Sequence, residues 1–295
     1  MSFDSIPVLD VPITISNKSY ILENIDKYIK NNENKKIKLK NQTKKPLVIY
    51  TPNPEIINYA SQSVFFRKTV AKAQINLPDG EGVVWALKKI ANTGIKRISG
   101  ADFIKDLCFL ALENSVKIGL IGGRENVALE SAECLKKNYR GLKIHVFKSP
   151  KVEIIKKGEE ESCFVRSKTE GAGEDYFNNL AGTIIRKEIK IFFVALGFPK
   201  QEYFIGKLQS KIEELKSEES LVLMSVGGAF DYISGRVKRA PIFIRNLRLE
   251  WLYRFIAQPW RLTRQLSGGM FFYRVLAHKK ENQNKKGKSC FLACH

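Results

Sequence analysis

The chain predicts an α/β fold, a mainly parallel sheet with helices on both faces, followed by a basic helical appendage. Three observations carry this. Apolar runs of strand length alternate with helically spaced stretches along most of the chain, the pattern of a parallel sheet covered on both sides. The runs VKIGLI (116–121), IKIFFVAL (189–196) and LVLMSV (221–226) are almost wholly apolar, as strands buried on both faces must be. From Tyr232 onward the composition turns sharply basic.

A length of 295 residues suffices for one large α/β domain with an appendage, or for two domains. The expected division is an α/β domain over 1–238, a basic amphipathic appendage over 239–276, and a polar tail over 277–295 without fixed structure. Lys and Arg outnumber Asp and Glu by 50 to 30, a net charge of +20. Such a balance implies an anionic partner: nucleic acid, an anionic membrane surface or a phosphorylated substrate. The five cysteines form no regular framework. Cys108 and Cys134 fall in apolar helical patterns and read as core thiols in a reducing compartment. Cys290 and Cys294 belong to no complete lipidation or metal motif. The N-terminus lacks a basic region followed by an apolar run, and no stretch approaches ~18 continuous apolar residues. The expectation is a cytoplasmic protein that sits on the inner face of the membrane.

In chain order, residues 6–15 read as a short β-like opening and 19–29 as an amphipathic helix. Residues 30–45 form a Lys/Asn-rich exposed loop. The strand PLVIY (46–50) runs into Thr51-Pro52-Asn53-Pro54 and a helical pattern. A short apolar lead-in, 75–77, stops at Pro78-Asp79-Gly80, which is turn chemistry. A helix then begins near Glu81. The helix 103–113, the strand 116–121, the helix 127–138 and the strand 142–147 follow. Residues 149–179 are rich in Glu, Lys and Gly with little periodicity, and read as a mobile surface loop. A helix near 176–187 leads to the strands 189–196 and 221–226.

At least five of these strands end in Gly or polar residues. In an open α/β sheet that edge is where ligands bind. Asp79 there is either a general base for a substrate hydroxyl or a cap for the following helix. Thr51 and Asn53 offer a hydroxyl and an amide to a ligand, or Asn53 caps the helix that Pro54 opens. Arg97 either holds a phosphate or is solvated. Gly122 and Gly123, between a strand and a helix, let backbone N–H groups approach phosphate. They form neither a G-x-G-x-x-G nor a Walker motif, so a dinucleotide-dependent dehydrogenase is disfavoured.

Residues 232–288 hold fourteen Lys/Arg and two acids, Glu250 and Glu281. Arginines interleave with large apolar residues in PIFIRNLRLEWLYRFIAQPWRLTRQL. Pro241 can open a helix and Pro259 must end or kink it. A basic stretch with Trp and Phe suits an anionic membrane interface. A helix packed on the core with a solvated basic face, or a nucleic-acid surface, are the alternatives.

TPNPEIINYA (51–60), LPDGEGVVWA (77–86), RISGADF (97–103), IGLIGGRENVA (118–128), VALGFPKQEYFI (194–205), SVGGAFDYISGRVKRAP (225–241) and LEWLYRFIAQPWRL (249–262) stand in an order that resembles the bacterial WecG/TagA/CpsF glycosyltransferases. The 149–179 stretch departs from the pattern by being longer. The resemblance implies a Rossmann-like domain and an inverting, metal-independent transfer without cofactor. A hexose-type sugar, best N-acetylmannosamine, would pass from a UDP-sugar to a polyprenyl-diphosphate-linked sugar at the membrane. It implies no nucleic-acid partner and allows a homo-oligomer. It places Asp79 as base, Thr51, Asn53, Arg97 and Gln201 around substrate, and Asp231 at the uracil. The appendage would dock on the membrane, close over the site, and bring Arg254, Arg261 and Arg264 to the diphosphates. The remaining readings are a catalytically degenerate member and a non-enzymatic basic binding module.

Overall fold

The computed structural model describes residues 3–30, 44–157, 160–166, 172–247, 250, 252–253 and 269–279. The β-like opening is an antiparallel hairpin of β1 (Ser5–Val8) and β2 (Val11–Thr14). Its two-residue turn, Leu9-Asp10, has positive φ at both positions, the backbone twist that matches paired strands. Helix α1 (Lys18–Lys30) buries Ile21, Ile25 and Ile29 at helical spacing.

A βα alternation follows. It runs β3 (Leu47–Tyr50), α2 (Pro54–Ala60), α3 (Val64–Ala71), β4 (Ile75–Asn76), α4 (Glu81–Ala91) and α5 (Gly100–Glu113). It continues with β5 (Lys117–Gly122), α6 (Val127–Asn138) and β6 (Lys143–Phe147). After β7 (Val152–Lys157), β8 (Glu160–Val165) and α7 (Ala172–Arg186) come β9 (Ile189–Ala195), α8 (Lys200–Glu214), β10 (Val222–Ser225) and α9 (Ala229–Ile233). Helix α10 (Ile242–Asn246) and a helix over 269–279, α11, complete the described chain.

Six strands form one sheet in the order β4-β3-β10-β9-β5-β6, with every neighbouring pair parallel. Successive strand side chains enter opposite cores, as the period of two requires. Val48 and Tyr50, Phe192 and Val194, and Leu223 face one cluster. Leu47 and Ile49, Ile191 and Phe193, and Val222 and Met224 face the other. The first cluster is covered by α2, α3, α4, α7, α8 and α11. The second is covered by α1, α5, α6 and α9. The α/β class with helices on both faces is therefore what the chain adopts.

One expectation is corrected. The 149–179 stretch is not an irregular loop: β7 and β8 pair as an antiparallel hairpin, and α7 begins at Ala172. Val152, Cys163 and Val165 point inward at alternate positions and are buried. Glu161 shares that inward face, 5% exposed, where an apolar residue would have revealed the pattern. Its carboxylate pairs with Lys156 at 2.6 Å and accepts hydrogen bonds from Tyr59, Ser63 and Tyr203. Burial pushes its pKa up, but Lys156, Tyr203 and Ser63 outweigh that and hold it low.

Helix α11 is packed on the body of the protein. Phe271 and Val275 are buried in the first core cluster. Phe272 meets Trp85 edge-on at 5.0 Å, and Arg274 donates to Asn58 O and Ser61 Oγ. Among the described residues no helix is long and apolar enough to cross a membrane. Arg254, Arg261 and Arg264, with Pro259, Cys290 and Cys294, lie outside the described residues.

Candidate active site

Because every pair in the sheet is parallel, all six carboxyl ends open on one edge. At ~4.8 Å per strand, the ends of β4 and β5 stand four spacings, or roughly 19 Å, apart along it. The candidate residues are distributed across that span.

Thr51, at the end of β3, is buried and packs on Gly100 at the start of α5. A Cβ on Gly100 would come within 2.9 Å of Thr51 Cγ2. Asn53 is the N-cap of α2, its Oδ1 accepting from Ile56 N at 2.9 Å. That oxygen satisfies one of the orphan N–H groups of a helix start, so the capping role is real and the amide oxygen is already engaged. Pro54 seats this turn against the Asp79–Gly82 turn: a Cβ on Gly82 would meet Pro54 Cγ at 2.6 Å.

Asp79 does not cap α4. The N-cap is Gly80, with φ +96° and no side-chain hydrogen bond. The Asp79 carboxylate turns instead toward α5, where Oδ2 accepts from Gly100 N at 3.4 Å. Arg97 Nε stands 3.5 Å from Asp79 Oδ1, in ion-pair range but without a hydrogen bond. Arg97 is not a solvated loop residue. Its Nη2 donates to Glu250 Oε2 at 2.9 Å, and Glu250 is almost fully buried. Burial works against the charge of Arg97, but Asp79, Glu250 and Glu81 outweigh it and raise its pKa.

A second arginine completes the cluster. Arg239 grips Asp102 with Nη1 at 2.6 Å and Nη2 at 2.8 Å, donates to Ser99 Oγ at 3.1 Å, and faces Glu250 Oε1 at 3.5 Å. This planar fork on a carboxylate is the geometry arginine provides and lysine does not. It holds the Asp102 carboxyl below its usual range. Sequence reasoning missed Arg239, Asp102 and Glu250. One signal was available: Glu250 is the single acid between residues 239 and 276.

The other candidates line the middle and far part of the edge. Gly122 has φ +109°, and a Cβ there would lie 2.5 Å from the carbonyl carbon and oxygen of Ala195. Gly123 N donates to Ala195 O at 2.8 Å. These glycines thus serve the close approach of β5 to β9, and the Gly123 N–H is used within the fold. Gln201, in the first turn of α8, is 2% exposed. Its Oε1 accepts from Gly227 N at 2.9 Å and its Nε2 donates to Glu202 Oε1 at 2.8 Å. It braces the turn after β10 from inside. Asp231 lies in the first turn of α9, which packs on α6 through Ser131 Oγ and Phe230 O at 3.0 Å. Among the described residues no group of His, Cys, Asp and Glu has metal-binding spacing.

The arrangement offers a partly exposed carboxylate, Asp79, after the edge strand β4, with Arg97 Nε 3.5 Å from it. The chain matches the family model described as Glycosyl transferase WecG/TagA/CpsF family over residues 6–285. It is 32% identical over 273 residues to a Bacillus subtilis protein named N-acetylglucosaminyldiphosphoundecaprenol N-acetyl-beta-D-mannosaminyltransferase, covering 92% of this chain and 93% of that one. A Bacillus spizizenii protein of the same name is 31% identical over 232 residues, 79% of each chain. A Staphylococcus aureus protein of that name is 28% identical over 259 residues, 86% of this chain and 89% of the other.

Proposed function

The chain belongs to the WecG/TagA/CpsF family of glycosyl transferases, and on that premise we propose that it moves N-acetylmannosamine from a UDP-sugar to polyprenyl-diphosphate-linked N-acetylglucosamine. That the protein is a glycosyltransferase follows from the family itself. The sugar and the acceptor are those named in its relatives.

The observation that carries the mechanism is the Asp79 carboxylate, set at the carboxyl edge of the sheet beside Thr51, Gly100 and Arg97. The acceptor hydroxyl attacks the anomeric carbon of the donor. The new C–O bond forms as the bond to the β-phosphate oxygen breaks, so the configuration inverts. Asp79 takes the hydroxyl proton, and UDP departs with the bonding electrons. Arginines stabilise the departing diphosphate in place of a metal, since their planar fork matches phosphate oxygens. Arg254, Arg261 and Arg264 are the candidates for that task. The uracil end lies toward Asp231 and the Gly122–Gly123 turn, and the sugar end toward Thr51 and Asp79.

The enzyme works as a peripheral protein on the inner face of the cell membrane. Ile242, Phe243, Leu247 and Tyr273 are each more than 60% exposed in a stretch rich in arginine, a combination suited to an anionic lipid interface.

The test is UDP release from UDP-N-acetylmannosamine with a short-chain prenyl-diphosphate-N-acetylglucosamine acceptor in micelles. Release should require acceptor, persist in EDTA and vanish in Asp79→Asn while UDP still binds. Full turnover by Asp79→Asn would remove Asp79 as the base, and loss of turnover in EDTA would remove the metal-free mechanism.

A further inference from the structure

Between residues 239 and 276 the chain carries seven arginines and one acid, Glu250. An acid in so basic a stretch would ordinarily sit at the surface, neutralised by its neighbours. Glu250 is instead 4% exposed. It reaches Arg97 at 2.9 Å and faces Arg239 at 3.5 Å. Burying a carboxylate is costly unless partners of good geometry offset it, so its position is closely specified.

Arg97 therefore stands between two carboxylates and divides itself unequally. Its Nη2 hydrogen-bonds Glu250, whereas its Nε, buried, faces Asp79 without a hydrogen bond. Arg239 is fixed from behind by Asp102 and Ser99 and keeps Glu250 from swinging away. We infer that Glu250 is a positioning residue for glycosyl transfer: it holds Arg97 back from Asp79 and so preserves the ability of Asp79 to take a proton. The inference rests on Asp79 as the base. It also links the arginine-rich stretch to the reacting carboxylate through the Arg97 guanidinium.

The consequence has a definite sign. A carboxylate gripped by arginine loses proton affinity, and one beside another carboxylate gains it. Replacing Glu250 by Gln frees Arg97 to close on Asp79 and removes a neighbouring negative charge. Both changes make Asp79 a weaker base. Among the described residues, the other charged groups bearing on the cluster keep their charge in the variant: Glu81 on α4, Asp102 and Lys105 on α5, Arg239, and Arg245 on α10.

The experiment compares the wild-type full chain with Glu250→Gln, Glu250→Asp and Asp79→Asn, using the micellar assay between about pH 5 and pH 9. Circular dichroism and thermal unfolding report folding. Glu250→Gln should lower kcat by about tenfold, leave KM for the UDP-sugar within about twofold, and move the acid limb of the rate profile down by about half a pH unit or more. Glu250→Asp, which keeps the charge, should recover most of kcat, and it carries the comparison if Glu250→Gln fails to fold. An inactive Asp79→Asn together with unshifted acid limbs in both Glu250 variants overturns the inference alone. An active Asp79→Asn overturns the assignment of the base and the inference with it.

Discussion

Glu202 gives the protein a stability that falls as pH rises. The side chain, in the first turn of α8, is wholly buried. Oε1 accepts from Gln201, and Oε2 has no hydrogen-bond partner. Burial pushes its pKa up to about 7 from an ordinary 4.5, against the smaller pull of the Gln201 amide. The folded state therefore holds this proton in a range where the unfolded chain has released it. An acid raised in this way destabilises as pH climbs from its unfolded value through its folded one, and the loss then levels off. Integrating between pH 5 and pH 8, with 1.36 kcal/mol per unit, gives a loss of about 2.5 kcal/mol from this group alone. Urea unfolding followed by circular dichroism at pH 5, 6, 7 and 8 reads it out. The wild-type curve should decline relative to Glu202→Gln over that interval by about 2–3 kcal/mol. Parallel curves for the two proteins would refute the buried, neutral carboxyl.

Two further perturbations test the frame around the site. In Gly122→Ala the added methyl meets the backbone of Ala195 at 2.5 Å at a φ of +109°. With backbone on the other side nothing can yield, so stability should fall by about 3 kcal/mol or more. A urea midpoint within about 0.5 kcal/mol of wild type would contradict the close approach of β5 and β9. Phe271→Ala removes a fully buried ring that fastens α11 to the core beside α4. The expected loss is about 3–5 kcal/mol if the helix stays docked through the transition, and less if it detaches locally. In either case hydrogen exchange across 269–279 should accelerate, and unchanged protection there would show that Phe271 does not anchor the helix.

The sheet was legible because its strands are buried on both faces. Runs such as 116–121 and 189–196 need no polar face and so stand out as continuous apolar stretches. The β7–β8 hairpin was hidden by the same logic reversed. Its inward row includes Glu161, stabilised by Lys156, two tyrosines and a serine drawn from three other segments, and nothing local announces those partners. Helix α3 was missed because only Phe66 and Val70 of its eight residues are buried. At the site, turn chemistry located Asp79, Thr51 and Asn53 at strand ends. It could not choose between ligand and cap, because that choice depends on where α5 begins relative to β4. Asn53 proved to be a cap and Asp79 did not. Gln201 and Arg97 were located as residues, but their partners Gly227 and Glu250 lie 26 and 153 positions away.

The charge balance of the cluster bears on how the proposed transfer divides its work. Asp79, Asp102 and Glu250 face Arg97 and Arg239, with Glu81 acting on Arg97 from nearby. Among the described residues Lys105 and Arg245 also act on Asp102, so four positive groups meet four negative ones. Among the described residues such a group is near charge balance, and Arg97 and Arg239 are already committed to carboxylates, so it holds little positive charge in excess for a diphosphate. Its fitness is for the other half of the chemistry, where a carboxylate must be ionised yet still able to take a proton as the acceptor attacks. The charge that steadies departing UDP must then come from elsewhere along the edge. The arginine-rich stretch carrying Arg254, Arg261 and Arg264 is the part of the chain with positive charge in excess. On this reading the base is prepared by the body of the protein, and the leaving group is served by the membrane-facing stretch. Glu250, the one acid of that stretch, is where the two halves meet.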